Sequence, residues 1–197
     1  GADEPGLAVV GGSAAVEGIP VRARGRKQRV RTYLTGYLSQ GAGGELPARL
    51  TVGEVIGEPV TSRDRRVNER ALALRVAGLL DELQLPLGAA AKYPYELSSG
   101  MRQRVALARA LVLNPRLFVG DDPYANLDLE VRKAARDALL RRRDEDGMAI
   151  VVVTNDAETV RDLDADVLVL RAGRPVGFGH GTADVLWTPD EGARIAS

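Results

Sequence analysis

The sequence predicts an α/β fold with a helical segment inserted between its strands, and three observations predict it. Short, near-continuous apolar runs at Leu117 to Gly120, Ala149 to Val153 and Val167 to Leu170 are what strands buried on both faces of a parallel sheet look like. Helical patterns lie among them, from about Ser99 to Val112 and from Leu129 to about Arg143, so helix and strand alternate. Upstream, Thr51 to Val60 and Asn68 to Leu85 have helical spacing with no strand between them. The second has Leu72, Leu74, Val76, Leu79, Leu80 and Leu83 as its apolar positions.

Taken in chain order, residues 1–18 are rich in Gly and Ala, with a short strand expected over Ser13 to Val16 before a Glu17-Gly18 turn. Val21 to Arg31 holds Arg22, Arg24, Arg26, Lys27, Arg29 and Arg31 and reads as a solvated loop, followed by a strand over Thr32 to Leu38. Gly41 to Gly44 marks a loop. One domain is expected, with residues 1–45 and 112–197 as its α/β part and residues 46–111, approximately, as its helical part. Arg141 to Asp146 reads as an exposed helix end whose cations face the negative pole of the helix dipole. His180 is expected in an exposed turn after the last strand, with no nucleophile to serve.

Composition excludes several classes of function. A chain of 197 residues, 45% hydrophobic and 27% charged, suits one soluble globular domain. Lys plus Arg equals Asp plus Glu at 27 each, so there is no overall field to hold a polyanion, and 4% aromatic residues supply little stacking surface; no nucleic-acid partner is expected. Without Cys, and with a single His, neither thiol chemistry nor a histidine-rich zinc site can be built. No apolar run approaches the length of a membrane span, and no signal peptide opens the sequence.

Chemistry concentrates in two segments. Glu96-Leu-Ser-Ser-Gly-Met-Arg-Gln-Arg104 is a polar turn running into an apolar-periodic helix, where the dipole and unpaired amides favour an anion; Ser98 and Gly100 are placed to meet a terminal phosphate. An ordinary N-cap by Ser98 or Ser99 is the competing reading. In Asn114 to Pro123 an apolar strand ends in Asp121 and Asp122, and carboxylates at that end of a strand face the ligand crevice of an α/β sheet.

These segments together resemble the ATPase subunits of ABC transporters. Leu97 to Arg104 is similar to the family's signature sequence, with Ser99 where Gly is usual, and Leu117 to Pro123 is similar to its Walker B strand. Gln40 resembles the Q-loop glutamine, and Ala125-Asn-Leu-Asp128 the D-loop. Thr51 to Pro59 and Tyr93 to Ser98 are most similar to the branch importing oligopeptides, dipeptides and nickel. The likeness runs from about Gly12 to Val185.

The resemblance implies a P-loop-NTPase-like ATPase core with an inserted helical subdomain. It implies a signature turn, Ser98, Ser99, Gly100 and Met101, that meets ATP held by a second ABC ATPase domain, and Asp128 contributes beside it. It also implies Mg2+ at Asp121, permease subunits as membrane partners, and a cytoplasmic place on the inner face of the cell membrane.

Departures from the family pattern are as informative. No G-x-x-x-x-G-K-[ST] loop occurs, and none of Lys27, Lys92 and Lys133 stands in such a context. Asp122 occupies the position of the catalytic Glu, and Asn155 that of the switch His. The N-terminal part of the core is therefore expected to be missing, leaving the sheet incomplete beside the strand ending at Thr154 unless residues 1–10 replace it. Three readings follow: a degenerate or truncated subunit that lends its signature to a partner, an ordinary ATPase whose phosphate loop lies outside this sequence, and an interaction module that binds no nucleotide.

Overall fold

The computed structural model describes residues 11–64, 66–182 and 184–187; the expectation for residues 1–10 lies outside them. A two-stranded hairpin comes first, β1 (Ala15–Val16) against β2 (Ile19–Pro20). Its turn has positive φ at Glu17 and Gly18, as a two-residue type I′ turn requires. The basic run that follows is not a loop: α1 spans Arg26–Leu34, and β3 begins only at Thr35, ending at Leu38. Long unbranched cations and Gln lose little freedom in a helix, and they carry the helix through Thr32 and Tyr33 despite the strand preference of those residues. The hydroxyls of Thr32 and Thr35 donate back to the carbonyls of Gln28 and Arg31, each at 2.9 Å.

The central sheet is parallel, in the order β3, β4 (Leu117–Asp121) and β5 (Ala149–Val153). Leu38 pairs with Gly120, Gly120 with Val152 and Asp121 with Val153, so the three strands end level with one another. The other edge of β5 has no strand partner among the described residues, and Val151 and Val153 are exposed there.

Three helices, α2 (Val52–Thr61), α3 (Glu69–Glu82) and α4 (Ser99–Leu111), pack into one core with this sheet. α2 starts in a reciprocal capping box: Thr51 Oγ1 accepts the Glu54 N–H at 3.3 Å, and Glu54 Oε2 accepts the Thr51 N–H at 2.7 Å. Val52, Val55 and Ile56, spaced for one helical face, are fully buried. α3 is capped by Asn68 and buries Val76, Leu79 and Leu80, but Leu74 points to solvent, contrary to the sequence pattern, because it falls on the opposite side of the helix. α4 is the innermost helix, with Val105, Leu107, Ala108 and Leu111 wholly buried. It lies so close on β3 that a Cβ at Gly36 would stand 2.4 Å from the Ala110 carbonyl oxygen.

Beyond β4, α5 (Leu129–Asp146) returns along the sheet, capped by Asp128 at one end and by Gly147, at φ 67°, at the other. Its last turn is less exposed than the sequence suggests. Arg142 forms a bidentate pair with Glu82 of α3, both N···O distances 2.7 Å and both side chains 12% exposed. Among the described residues no helix is long and apolar enough to cross a membrane.

A short helix, α6 (Ala157–Leu163), leads to a second sheet of β6 (Asp166–Arg171), β7 (Arg174–His180) and β8 (Asp184–Trp187). The expectation of a buried parallel strand at Val167 to Leu170 is corrected here. β6 pairs antiparallel with β7, and Leu168 and Leu170 are 59% and 61% exposed. An apolar run cannot tell burial on both faces from burial on one.

His180 is likewise the last residue of β7 rather than part of a turn, and it is exposed. Its ring nitrogens lie 3.1 Å from carboxylate oxygens of Asp166 and Asp164, and these hydrogen bonds hold its pKa above the ordinary value. A raised folded pKa means that the contact stabilises the hairpin fully below about pH 6.5 and is lost as pH rises through the folded value. Because His180 is the only histidine, an NMR titration of its ring is unambiguous: the midpoint is expected above 6.5 and closer to it in Asp166→Asn. An unchanged midpoint in that variant contradicts the assignment.

Candidate functional site

Parallel strands that end level bring their following loops to one edge. Gln40, Asp121, Asp122 and Asn155 each lie within two residues of the ends of β3, β4 and β5, so the structure gathers on one edge what the sequence scatters over 115 positions. Gln40 is exposed and precedes a 3₁₀ turn at Ala42–Gly44. Asn155 is exposed in the bend between β5 and α6.

Asp122 has φ 45°, a left-handed backbone that turns the chain sharply off the strand. Its N–H donates to the Val153 carbonyl at 2.9 Å and its carbonyl accepts from Ala125 at 3.0 Å, which fixes the turn. Two residues on, burial pushes the Tyr124 hydroxyl well above its ordinary pKa, and this buried hydroxyl has no hydrogen-bond partner among the described residues. Among those residues, too, no group of three or more His, Asp or Glu is placed to hold a metal ion. Asp121 alone can anchor magnesium only if phosphate oxygens and water complete the shell.

Ser98 is the N-cap of α4: its Oγ accepts the Met101 N–H at 3.2 Å. The structural reading of this serine therefore holds, and it does not exclude the other, since the hydroxyl hydrogen is still available to donate. Helix geometry leaves the N–H groups of Ser99 and Gly100 without partners inside the helix, and both residues lie at its accessible end. Gly100 has a second constraint, because a Cβ there would stand 2.9 Å from the Asn126 carbonyl oxygen. The turn at Ser98 to Met101 and the loop at Ala125 to Asp128 thus touch within the chain. Asp128 closes that loop as the N-cap of α5, accepting the Val131 N–H at 3.0 Å.

Two organising side chains have no role in the sequence analysis. Gln103, 3% exposed on α4, accepts the Gly43 N–H at 3.3 Å and donates to the Pro123 carbonyl at 3.4 Å. It ties the loop after Gln40 to the turn after Asp122. The signal was a lone amide on the apolar face of α4, one turn before Leu107.

Arg132 on α5, 15% exposed, pairs with Asp156 at 2.7 Å and Asp162 at 2.9 Å and lies over the Tyr124 ring at 5.3 Å. It fastens Asp156, the residue next to Asn155, to α5. The Asp156 carboxyl, which also accepts the Glu158 N–H, is held below its ordinary pKa. These partners lie 24 and 30 positions from Arg132, beyond any local pattern.

A cavity of about 560 Å3 opens beside the same loops, between the end of β3 and helices α2 and α4. Tyr37, Ser39 and Glu45 line one side, and Glu58 and Arg109, paired at 2.9 Å, line the other.

Residues 7–125 match the family described as ABC transporter. The chain is 34% identical over 148 residues to the peptidoglycan transport ATP-binding protein YejF of Agrobacterium fabrum, a match covering 75% of this chain and 27% of that one. It is 36% identical over 155 residues to a putative peptide import ATP-binding protein of Brucella ovis, covering 77% of this chain and 45% of that one. This sequence thus spans less than half the length of either relative. Among solved structures, an ATP-binding cassette dimer in a post-hydrolysis state with ADP and Pi superposes with a TM-score of 0.79 at 25% identity, over 88% of this chain and 75% of that one.

Gln103→Leu keeps the volume and removes both hydrogen bonds, leaving a buried N–H unpaired; the expected loss of stability is about 1–3 kcal/mol in urea unfolding. The Gly43 amide should exchange with deuterium faster in the variant. Unchanged exchange at Gly43 contradicts the bridging role.

Proposed function

The chain belongs to the ABC transporter family, and we propose that it is a degenerate ATP-binding subunit of a peptide importer, working on nucleotide held by a partner ATPase. One contrast carries the reading. The signature turn is preformed by its own cap, whereas the chain's own site has Asp122 and Asn155 at the two positions that would handle the attacking water and the γ-phosphate. Asp is shorter than Glu, and a carboxylate misplaced by about 1 Å loses on the order of a hundredfold in rate. Asn155 can hydrogen-bond but cannot take up a proton.

The residues fit a nucleotide in trans and not in cis, so no hydrolytic step is assigned to this chain's own edge. ATP with Mg2+ held by the partner would supply the phosphoryl group. The Ser98 hydroxyl and the N–H groups of Ser99 and Gly100 would donate to its terminal phosphate, with Met101 closing the turn behind them, while Asp128 caps the helix that follows the loop packed against Gly100. Asp121 is a retained magnesium position, and Gln40 borders the route from this edge to the cavity beside α2. That cavity suits a segment of a permease subunit, which would place the chain at the inner face of the membrane. The two curated relatives named above act on peptides or peptidoglycan, and this supports a peptide-like solute.

Isothermal titration of the chain alone with ATP and Mg2+ is expected to give no tight binding, because the amides and ammonium that cradle the phosphates are absent from the sequence. Low-micromolar binding abolished by Asp121→Ala overturns the proposal in favour of a self-sufficient ATP site.

A further inference from the structure

Outside the nucleotide-facing edge, α1 is the most unusual surface of the molecule. From Gly18 to Gly44 there is no Asp or Glu, while Arg22, Arg24, Arg26, Lys27, Arg29 and Arg31 fall within ten positions, in a chain of zero formal net charge. No residue of α1 is buried. Arg31 turns inward to the Pro20 and Val21 carbonyls. Arg26, Lys27 and Arg29 extend into solvent with no carboxylate in ion-pair range among the described residues. At 100° per residue, Arg26, Arg29, Val30 and Tyr33 share the outward face, and Val30 and Tyr33 are 43% and 49% exposed.

This helix stands against its own field. Arg26 and Arg29 are three apart and Lys27 and Arg31 four apart, spacings at which like charges destabilise a helix. Its first turn, at the positive end of the dipole, carries two cations and no acid. A layer of negative charge removes both penalties.

We propose that α1 is an electrostatic membrane anchor that lies on anionic phospholipid headgroups. A convex helix whose Arg26 and Arg29 meet no carboxylate among the described residues suits a flat surface whose phosphates can move to meet each fork, rather than a single ligand that needs a concave pocket. Tyr33 and Val30 add the short apolar and aromatic reach suited to the headgroup layer, whereas one tyrosine gives no stacking path for a nucleic-acid strand. Thr32 of α1 also lines the cavity beside α2, so a permease segment in that cavity and lipid under α1 would lie side by side. That last point rests on the function proposed above, but lipid binding itself can be measured without nucleotide or permease.

The test is co-sedimentation of the full chain with vesicles of phosphatidylcholine alone or mixed with phosphatidylglycerol, at low and high salt. Partition onto the mixed vesicles only, falling as salt rises, is expected. A basic residue near an anionic surface contributes roughly fivefold in binding, so Arg26→Gln, Lys27→Gln and Arg29→Gln together should lower partition about a hundredfold. Arg26→Lys with Arg29→Lys keeps the charge and should keep the binding, and neutralising the exposed cations Arg66, Arg70 and Lys133 should leave it nearly unchanged. Circular dichroism checks that each variant is folded. Equal partition onto neutral vesicles, no partition onto anionic ones, full binding by the triple variant or an equal loss in the distant control overturns the proposal. So does tighter binding to duplex or single-stranded DNA than to the vesicles.

Discussion

The seating of α4 is the constraint on which the rest of the structure depends. Three glycines mark how closely the backbone approaches around this helix. A side chain at Gly36 would meet the Ala110 carbonyl oxygen at 2.4 Å, one at Gly43 the Gln103 nitrogen at 2.7 Å, and one at Gly100 the Asn126 carbonyl oxygen at 2.9 Å. β3, the loop after Gln40 and the loop holding Asn126 are therefore all positioned by contact with one helix. The apolar face of α4 supplies the adhesion, with Val105, Leu107 and Leu111 in the common core, and Gln103 supplies the direction by satisfying one polar group from each neighbouring loop. A close-packed interior transmits small displacements, so a shift at the N-terminus of α4 is felt at the ends of β3 and β4.

What was legible in the sequence was what local chemistry decides. Ser98 announces a helix start because a short polar side chain satisfies an orphan amide, and it does so in the structure. The end of β4 was legible because two carboxylates and Pro123 interrupt an apolar run. Long-range choices were not. Whether Val167 to Leu170 joins the parallel sheet or starts an antiparallel one is decided by pairing with Arg174 to His180, and no period-two or apolar pattern carries that information. The run of cations that forms α1 looks like a solvated loop by charge alone, and the helix propensity of Arg, Lys and Gln decides otherwise. Within the site, Gln40, Asp121, Asp122 and Asn155 could be named by motif, but their ties through Gln103 and Arg132 could not, since those partners lie 20 to 60 positions away.

The contrast between the two halves of the edge gives the functional account its shape. On one side the turn capped by Ser98 keeps a hydroxyl hydrogen and two helix-end amides at an accessible helix end. On the other, Asp122 is held in a left-handed turn, and Asn155 is exposed and carries an amide, which cannot titrate. Under the proposed function such an arrangement would divide labour: one chain would hold and cleave the nucleotide, and the other would complete the enclosure.

Measuring ATP hydrolysis in a reconstituted complex with the partner ATPase tests this division most directly, with Ser98→Asp and Asp122→Asn compared in this chain alone. Asp caps a helix about as well as Ser, so Ser98→Asp keeps α4 intact while setting a negative charge against the phosphate. Loss of a hydrogen bond to a charged group, about 1.5–3 kcal/mol, predicts a fall in rate of at least roughly tenfold for Ser98→Asp and little change for Asp122→Asn. A rate that survives Ser98→Asp and collapses with Asp122→Asn would mean that this chain performs the hydrolysis itself.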